Sequence, residues 1–126
     1  MRRTKVLIVE DNDDLRSLFR TALALDGFEV HEASTGIDAL RRIDSDPPDV
    51  VVLDIHLPLV DGIAVRAEIA AHASTRHLPV LIVTGSAANF DALDVACVIR
   101  KPVSPTELVK AVRKCLAASP GPPPPT

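Results

Sequence analysis

The sequence contains no tryptophan, no tyrosine and only three phenylalanines, and its 14 basic residues are scattered along the chain. The aromatic-interleaved basic stripe that tracks nucleic acid is therefore missing. A formal charge of -3 and a pI of about 5.7 offer a polyanion no attraction, so direct nucleic-acid binding is not expected. Cysteine is scarce as well. Cys97 falls on a predicted strand and Cys115 on a predicted helix face, neither with metal-ligand spacing, so both are expected as buried free thiols rather than a disulfide. No apolar run approaches the roughly 18 residues of a membrane span. Met1-Arg2-Arg3-Thr4-Lys5 leads straight into a strand instead of a signal-peptide core, so no membrane insertion is expected and the location is read as cytoplasmic. Internal repeats are absent too.

What is present is enough apolar material for one core: 126 residues, 47% of them hydrophobic. The organising stretch is Asp49-Val50-Val51-Val52-Leu53-Asp54-Ile55-His56-Leu57-Pro58. Its unbroken apolar run reads as a strand buried on both faces, as in the centre of a parallel sheet, and it delivers one carboxylate, Asp54, to the strand's far end. An aspartate there can simply cap a turn. It also stands where ligands bind in open α/β sheets, in the crevice beyond the carboxyl ends of the strands.

Other segments follow the same plan. Lys5 to Val9 is a first buried strand ending in Glu10-Asp11-Asn12-Asp13, and a helix follows, capped at Asn12 or Asp13. Leu15, Leu18, Phe19, Ala22 and Leu23 are expected on its inner face, with Gly27 as the stop. Phe28 to Ala33 alternates as a second strand, and Ser34-Thr35-Gly36 opens a helix burying Ile37, Leu40 and Ile43. Past Asp54, the loop Leu59-Val60-Asp61-Gly62 enters a third helix with Ile63, Val65 and Ile69 turned inward. Pro79 to Val83 is a fourth strand, followed by Thr84-Gly85-Ser86, and Cys97 to Arg100 a fifth. Between them there is room for a short fourth helix of about two turns near Asn89 to Asp94. Ser104-Pro105-Thr106-Glu107 is a capping box with proline at the first helical position, opening a last helix that buries Leu108, Val109, Val112, Cys115 and Leu116. Residues 118–126 hold a proline run with nothing to bury and read as a disordered, polyproline-like tail, leaving residues 1–117 as the folded domain.

Five strands alternating with helices imply right-handed parallel βαβ units, an α/β doubly wound fold. In strand order 2-1-3-4-5, strands one and three are neighbours and Glu10 and Asp11 come beside Asp54. Three carboxylates at one edge repel one another and call for a divalent cation. Side-chain oxygens, a loop carbonyl and positions open to water suit Mg²⁺ better than Zn²⁺, and His56 alone beside hard carboxylates makes no transition-metal site. Thr84 supplies a hydroxyl after strand four and Lys101 an ammonium after strand five. A carboxylate nucleophile, Mg²⁺, a hydroxyl and a lysine form the set that stabilises a transferring phosphoryl group.

Over roughly residues 4 to 117 the chain resembles a receiver domain of bacterial two-component response regulators. The resemblance rests on Glu10-Asp11, on Asp54 followed by Leu57-Pro58 and Gly62, on Thr84-Gly85 and on Lys101-Pro102. It implies a flavodoxin-like sandwich in which Asp54 accepts the phosphoryl group, and Glu10, Asp11 and Asp54 with the His56 carbonyl hold Mg²⁺. Thr84 and Lys101 would contact the acyl phosphate, and the Lys101-Pro102 peptide would be cis. It further implies a stand-alone module, itself not an enzyme, that receives its phosphoryl group from a histidine kinase or histidine phosphotransfer protein and signals through altered protein binding. Two features depart from the family pattern. Val98 stands where a switch aromatic is common and Val103 where phenylalanine is, and the segment from Thr84 to Lys101 is short, with Phe90 as its one aromatic residue.

Three other readings are weighed. A haloacid-dehalogenase-like phosphohydrolase would need a second aspartate two residues after the nucleophile, and that residue is His56. A flavodoxin-like cofactor binder would meet a flavin phosphate with the repelling loop Glu10-Asp11-Asn12-Asp13. A receiver-shaped docking module acting without phosphorylation is the third; Val98 favours it, and the complete acidic pocket opposes it.

Overall fold

A computed structural model describes residues 2–85 and 97–118. Five parallel strands, β1 (Lys5–Val9), β2 (Glu29–Ala33), β3 (Val50–Asp54), β4 (Val80–Thr84) and β5 (Cys97–Arg100), form one sheet in the order β2-β1-β3-β4-β5. Four described helices cover it: α1 (Asp13–Leu25), α2 (Gly36–Ser45), α3 (Gly62–Ala71) and α4 (Pro105–Ala118). The short helix near Asn89 to Asp94, Phe90 and the proline-rich tail from Ser119 onward lie outside the described residues.

Alternation along the strands divides the core in two. Leu7, Val9, Val51, Leu53 and Ile82 pack against α2 and α3, whereas Val6, Ile8, Val50, Val52, Leu81 and Val83 pack against α1 and α4. All five residues of β3 are buried, as a central strand with helices on both faces requires. The doubly wound arrangement follows, since a sheet apolar on both faces stays out of water only when helices cover each.

Local chemistry sets the helix boundaries. The Asn12 side chain accepts from the Leu15 amide at 2.9 Å, Thr35 from Asp38 at 3.1 Å, Asp61 from Ala64 at 2.9 Å and Ser104 from Glu107 at 3.1 Å. Each satisfies an amide that the first helical turn leaves without a partner. Gly27 adopts φ 94° after α1, and the amides of Gly27 and Phe28 donate to Ala24 and Leu23, which closes the helix in the left-handed conformation glycine tolerates.

Four expectations are corrected. Leu18, Ile37 and Ile63 are 45%, 40% and 43% exposed instead of buried. Ile37 and Ile63 each sit second in their helices, directly after a buried glycine, Gly36 or Gly62, that makes the close inward contact and leaves the isoleucine turned away from it. On α1 the buried stripe runs through Phe19 and Leu23, leaving Leu18 to one side. The fourth correction concerns the cysteines: Cys97 and Cys115 form a disulfide, with Cα atoms 5.8 Å apart. β5 and α4 pack on one another, and both residues face that contact.

Candidate functional site

At the carboxyl edge of the sheet, neighbouring strand ends bring together residues far apart in sequence. Val9 pairs with Leu53, so Glu10, one residue past β1, stands beside Asp54, the last residue of β3. Asp54 is itself in register with Val83, placing Thr84 one step beyond it on β4. Thr84 in turn pairs with Arg100, and Lys101 follows. Glu10, Asp54 and Thr84 are buried, at 2%, 3% and 0% exposure, whereas Asp11 is exposed.

One ammonium joins the two buried carboxylates. Lys101 Nζ donates to Glu10 Oε1 and to Asp54 Oδ2, each at 3.2 Å. Their other oxygens accept from backbone: Glu10 Oε2 from the Asn12 amide at 3.2 Å, and Asp54 Oδ1 from the His56 amide at 3.0 Å. The Lys101 amide donates to Thr84 O at 2.8 Å, which ties the lysine to the end of β4. The Lys101-Pro102 peptide is cis.

Burial is the main influence on Glu10, whose pKa is pushed from 4.5 up to about 7. The Asn12 amide works against that rise, the neighbouring Asp54 adds to it, and Lys101 offsets part of it. For Lys101, burial alone would favour the neutral amine. Attraction to Asp54 and Glu10 wins, and its pKa is raised above the ordinary lysine value.

Carboxylate oxygens of Glu10, Asp11 and Asp54 all lie within 4.8 Å of one another. Three hard oxygen donors at that spacing fit a small divalent cation. A cleft of about 500 Å³ adjoins them, bounded by Asp11, Ile55, His56, Pro58, Asp61 and Ile63. His56 is exposed at its rim. In the same loop Leu59 takes φ 68° and the Val60 amide donates to Pro58 O at 2.8 Å, a γ-turn with the leucine 89% exposed.

All six residues singled out from the sequence thus gather at one edge, with Glu10, Asp54 and Lys101 in direct contact. One supporting residue was missed, and Gly62, already read as part of the motif, acquires a steric reason. Arg16 donates to Glu10 O at 2.9 Å and to Asp13 Oδ1 at 2.6 Å, clipping the acidic loop to α1; its spacing of three from Asp13 was the available signal. Gly62 donates its amide to Ile55 O at 2.9 Å, and a Cβ there would lie 2.6 Å from Ile55 Cα and collide with Asp54 O. Only glycine lets α3 begin so close to the strand that carries Asp54.

A five-stranded 2-1-3-4-5 sheet with an acidic cluster and a lysine at its carboxyl edge defines a class of signalling module. The chain belongs to the response regulator receiver domain family, whose model matches residues 6–113. Among similar proteins, the polar-differentiation response regulator DivK of Brucella ovis is 31% identical over 116 residues, 88% of this chain and 94% of DivK. The regulatory protein AtoC of Escherichia coli is 41% identical over 83 residues, 66% of this chain, and the alkaline phosphatase synthesis transcriptional regulatory protein PhoP of Bacillus subtilis is 32% identical over 120 residues, 91% of it. The match spans only 18% of AtoC and 49% of PhoP. Among solved structures, a putative response regulator from Chloroflexus aurantiacus superposes with a TM-score of 0.85 at 30% identity, covering 92% of this chain and 99% of that one. The chemotaxis response regulator CheY4 of Vibrio cholerae shares the fold with the same TM-score, 0.85, at 24% identity, covering 90% of this chain and 99% of its own. Receiver domains are signalling modules rather than conventional enzymes. Among the described residues no helix is long and apolar enough to cross a membrane.

Proposed function

We infer that the chain is a phosphoacceptor module acting in the cytoplasm, with residues 1–117 as the receiver and 118–126 as a tail. Asp54 takes a phosphoryl group from a phosphohistidine on a histidine kinase or phosphotransfer protein. One observation carries the reading: Asp54 is buried, yet two of its neighbours are carboxylates and the third is the lysine that donates to it at 3.2 Å.

An Asp54 carboxylate oxygen attacks phosphorus, the phosphorus–nitrogen bond of the donor breaks, and its electron pair returns to the imidazole, which takes up a proton. The product is an aspartyl phosphate. Lys101, now on Asp54 Oδ2, is placed to transfer its contact to a phosphoryl oxygen, while the His56 amide keeps Oδ1 oriented. Thr84 stands on the adjacent strand tip for a second contact. Glu10, Asp11, Asp54 and the His56 carbonyl would hold Mg²⁺, which would neutralise the charge gathering between donor and carboxylates. The signal is then read as altered protein binding.

The direct test is mass measurement after incubation with acetyl phosphate and Mg²⁺. One added phosphoryl group is expected, lost in Asp54→Ala; modification that persists in that variant rejects the assignment.

A further inference from the structure

β5 is four residues long and carries a functional group at each end. Cys97 begins it, and Lys101, whose ammonium bridges Glu10 and Asp54, follows it directly. The strand lies at the edge of the sheet, paired with β4 alone among the described strands, and its residues are part-exposed or exposed. Besides the packing of Val98 and Ile99 on the core, a covalent hold is the bond from Cys97 to Cys115 on the inner face of α4.

Three observations point to chemistry at that bond. The Cα atoms are 5.8 Å apart, an ordinary separation for a bridge, and the packing of β5 on α4 sets it. The sulfurs can therefore join or part without rearranging the backbone. Cys97 is part-exposed while Cys115 is 2% exposed, so of the two residues Cys97 is the one an external thiolate can approach. The bond also spans 18 residues of chain that include Lys101, so its state bears on the freedom of the strand end carrying that lysine.

We propose that Cys97 and Cys115 form a thiol–disulfide exchange site for small thiols and disulfides, whose closed form restrains β5 against α4. In opening, an external thiolate attacks Cys97 Sγ. The bond's electron pair leaves on Cys115 Sγ, which takes up a proton. A second external thiol then displaces Cys97 from the mixed disulfide, giving two protein thiols and one small-molecule disulfide. Closing reverses these steps, with oxidised glutathione or a similar disulfide as the oxidant. The proposal goes beyond the phosphoacceptor reading and does not depend on it.

The test uses the full chain equilibrated in graded mixtures of reduced and oxidised glutathione, quenched in acid, alkylated and weighed. Two thiols should appear together in one reversible transition. Deuterium exchange at the Val98 and Ile99 amides should be faster in the reduced form, by up to roughly a hundredfold if the chain entropy of the closed loop is fully released. Thiols that stay free in every mixture, or a bond that survives the most reducing one, overturn the exchange site. Unchanged exchange at Val98 and Ile99 overturns the restraint.

Discussion

Glu10 and Asp54 face each other across a single ammonium, each 3.2 Å from Lys101 Nζ, in a site where both are buried. A single positive charge cannot neutralise two carboxylates. One of them must therefore hold a proton, bind a metal or repel the other, and Glu10, with a pKa near 7, is the group that yields.

Metal-free protein should lose stability as pH rises from about 4.5 to about 7. The folded state holds the Glu10 proton more tightly than the unfolded chain, so the unfolded chain ionises first and gains over that window. The contribution is fully present below pH 4.5 and gone above about 7, a loss of at most roughly 3 kcal/mol. Urea unfolding across this range checks the sign, and Glu10→Gln should flatten the slope. A slope at Glu10 that rises with pH instead contradicts the assignment.

Mg²⁺ should expel that proton. Near pH 7 each ion bound should release about half a proton, and apparent affinity should climb with pH and level off above about 7. Calorimetry in buffers of different ionisation enthalpy measures the release directly. Asp11→Ala should weaken binding and slow phosphoryl uptake, as should a chelator; an uptake rate indifferent to chelator removes the metal from the reaction.

Lys101→Ala should keep the fold and impair phosphoryl transfer. Its side chain is 29% exposed, so the stability lost on leaving the carboxylates unpaired should be about 2 kcal/mol, below the cost of breaking a fully buried pair. Mg²⁺ should restore much of it. Circular dichroism separates the cases, because collapse of the helical signal would make the lysine a structural residue first.

Gly62→Ala tests how tightly the site is built. The new methyl would press on the backbone of Asp54 and Ile55, which cannot move aside as a flexible side chain can, so a loss of about 2 kcal/mol is expected, with slower modification of Asp54. An unchanged denaturation midpoint would show that α3 shifts freely.

Much of this architecture was legible in the residues themselves. A strand buried on both faces is a continuous apolar run, so β1, β3 and β4 stood out, and their polar tips marked the site. Ser104-Pro105-Thr106-Glu107 located the start of α4 through capping chemistry alone. What escaped depends on tertiary placement. Helical periodicity assigns Ile37 and Ile63 to an inner face, but it carries no mark that the glycine before each one takes the buried place. Cys97 and Cys115 sit on a strand and a helix with unrelated periods, and only the docking of one on the other brings their sulfurs together. Val98 is partly buried and packs against the core cluster to which α2 and α3 also contribute.

The tips of separate strands, joined across a separation of 91 residues between Glu10 and Lys101, leave a mark on how the molecule is born. β1 and β3 can pair once the first half of the chain has left the ribosome, bringing the carboxylates together before their lysine exists. Non-local contacts of this kind carry a loop-closure cost and form slowly. Until β5 docks, the nascent sheet bears an acidic edge with no counter-charge from Lys101, so the ammonium that arrives with β5 should be drawn to that edge and favour the last step of folding. The groups that ready the finished protein for its signal would then first serve as the latch that completes it.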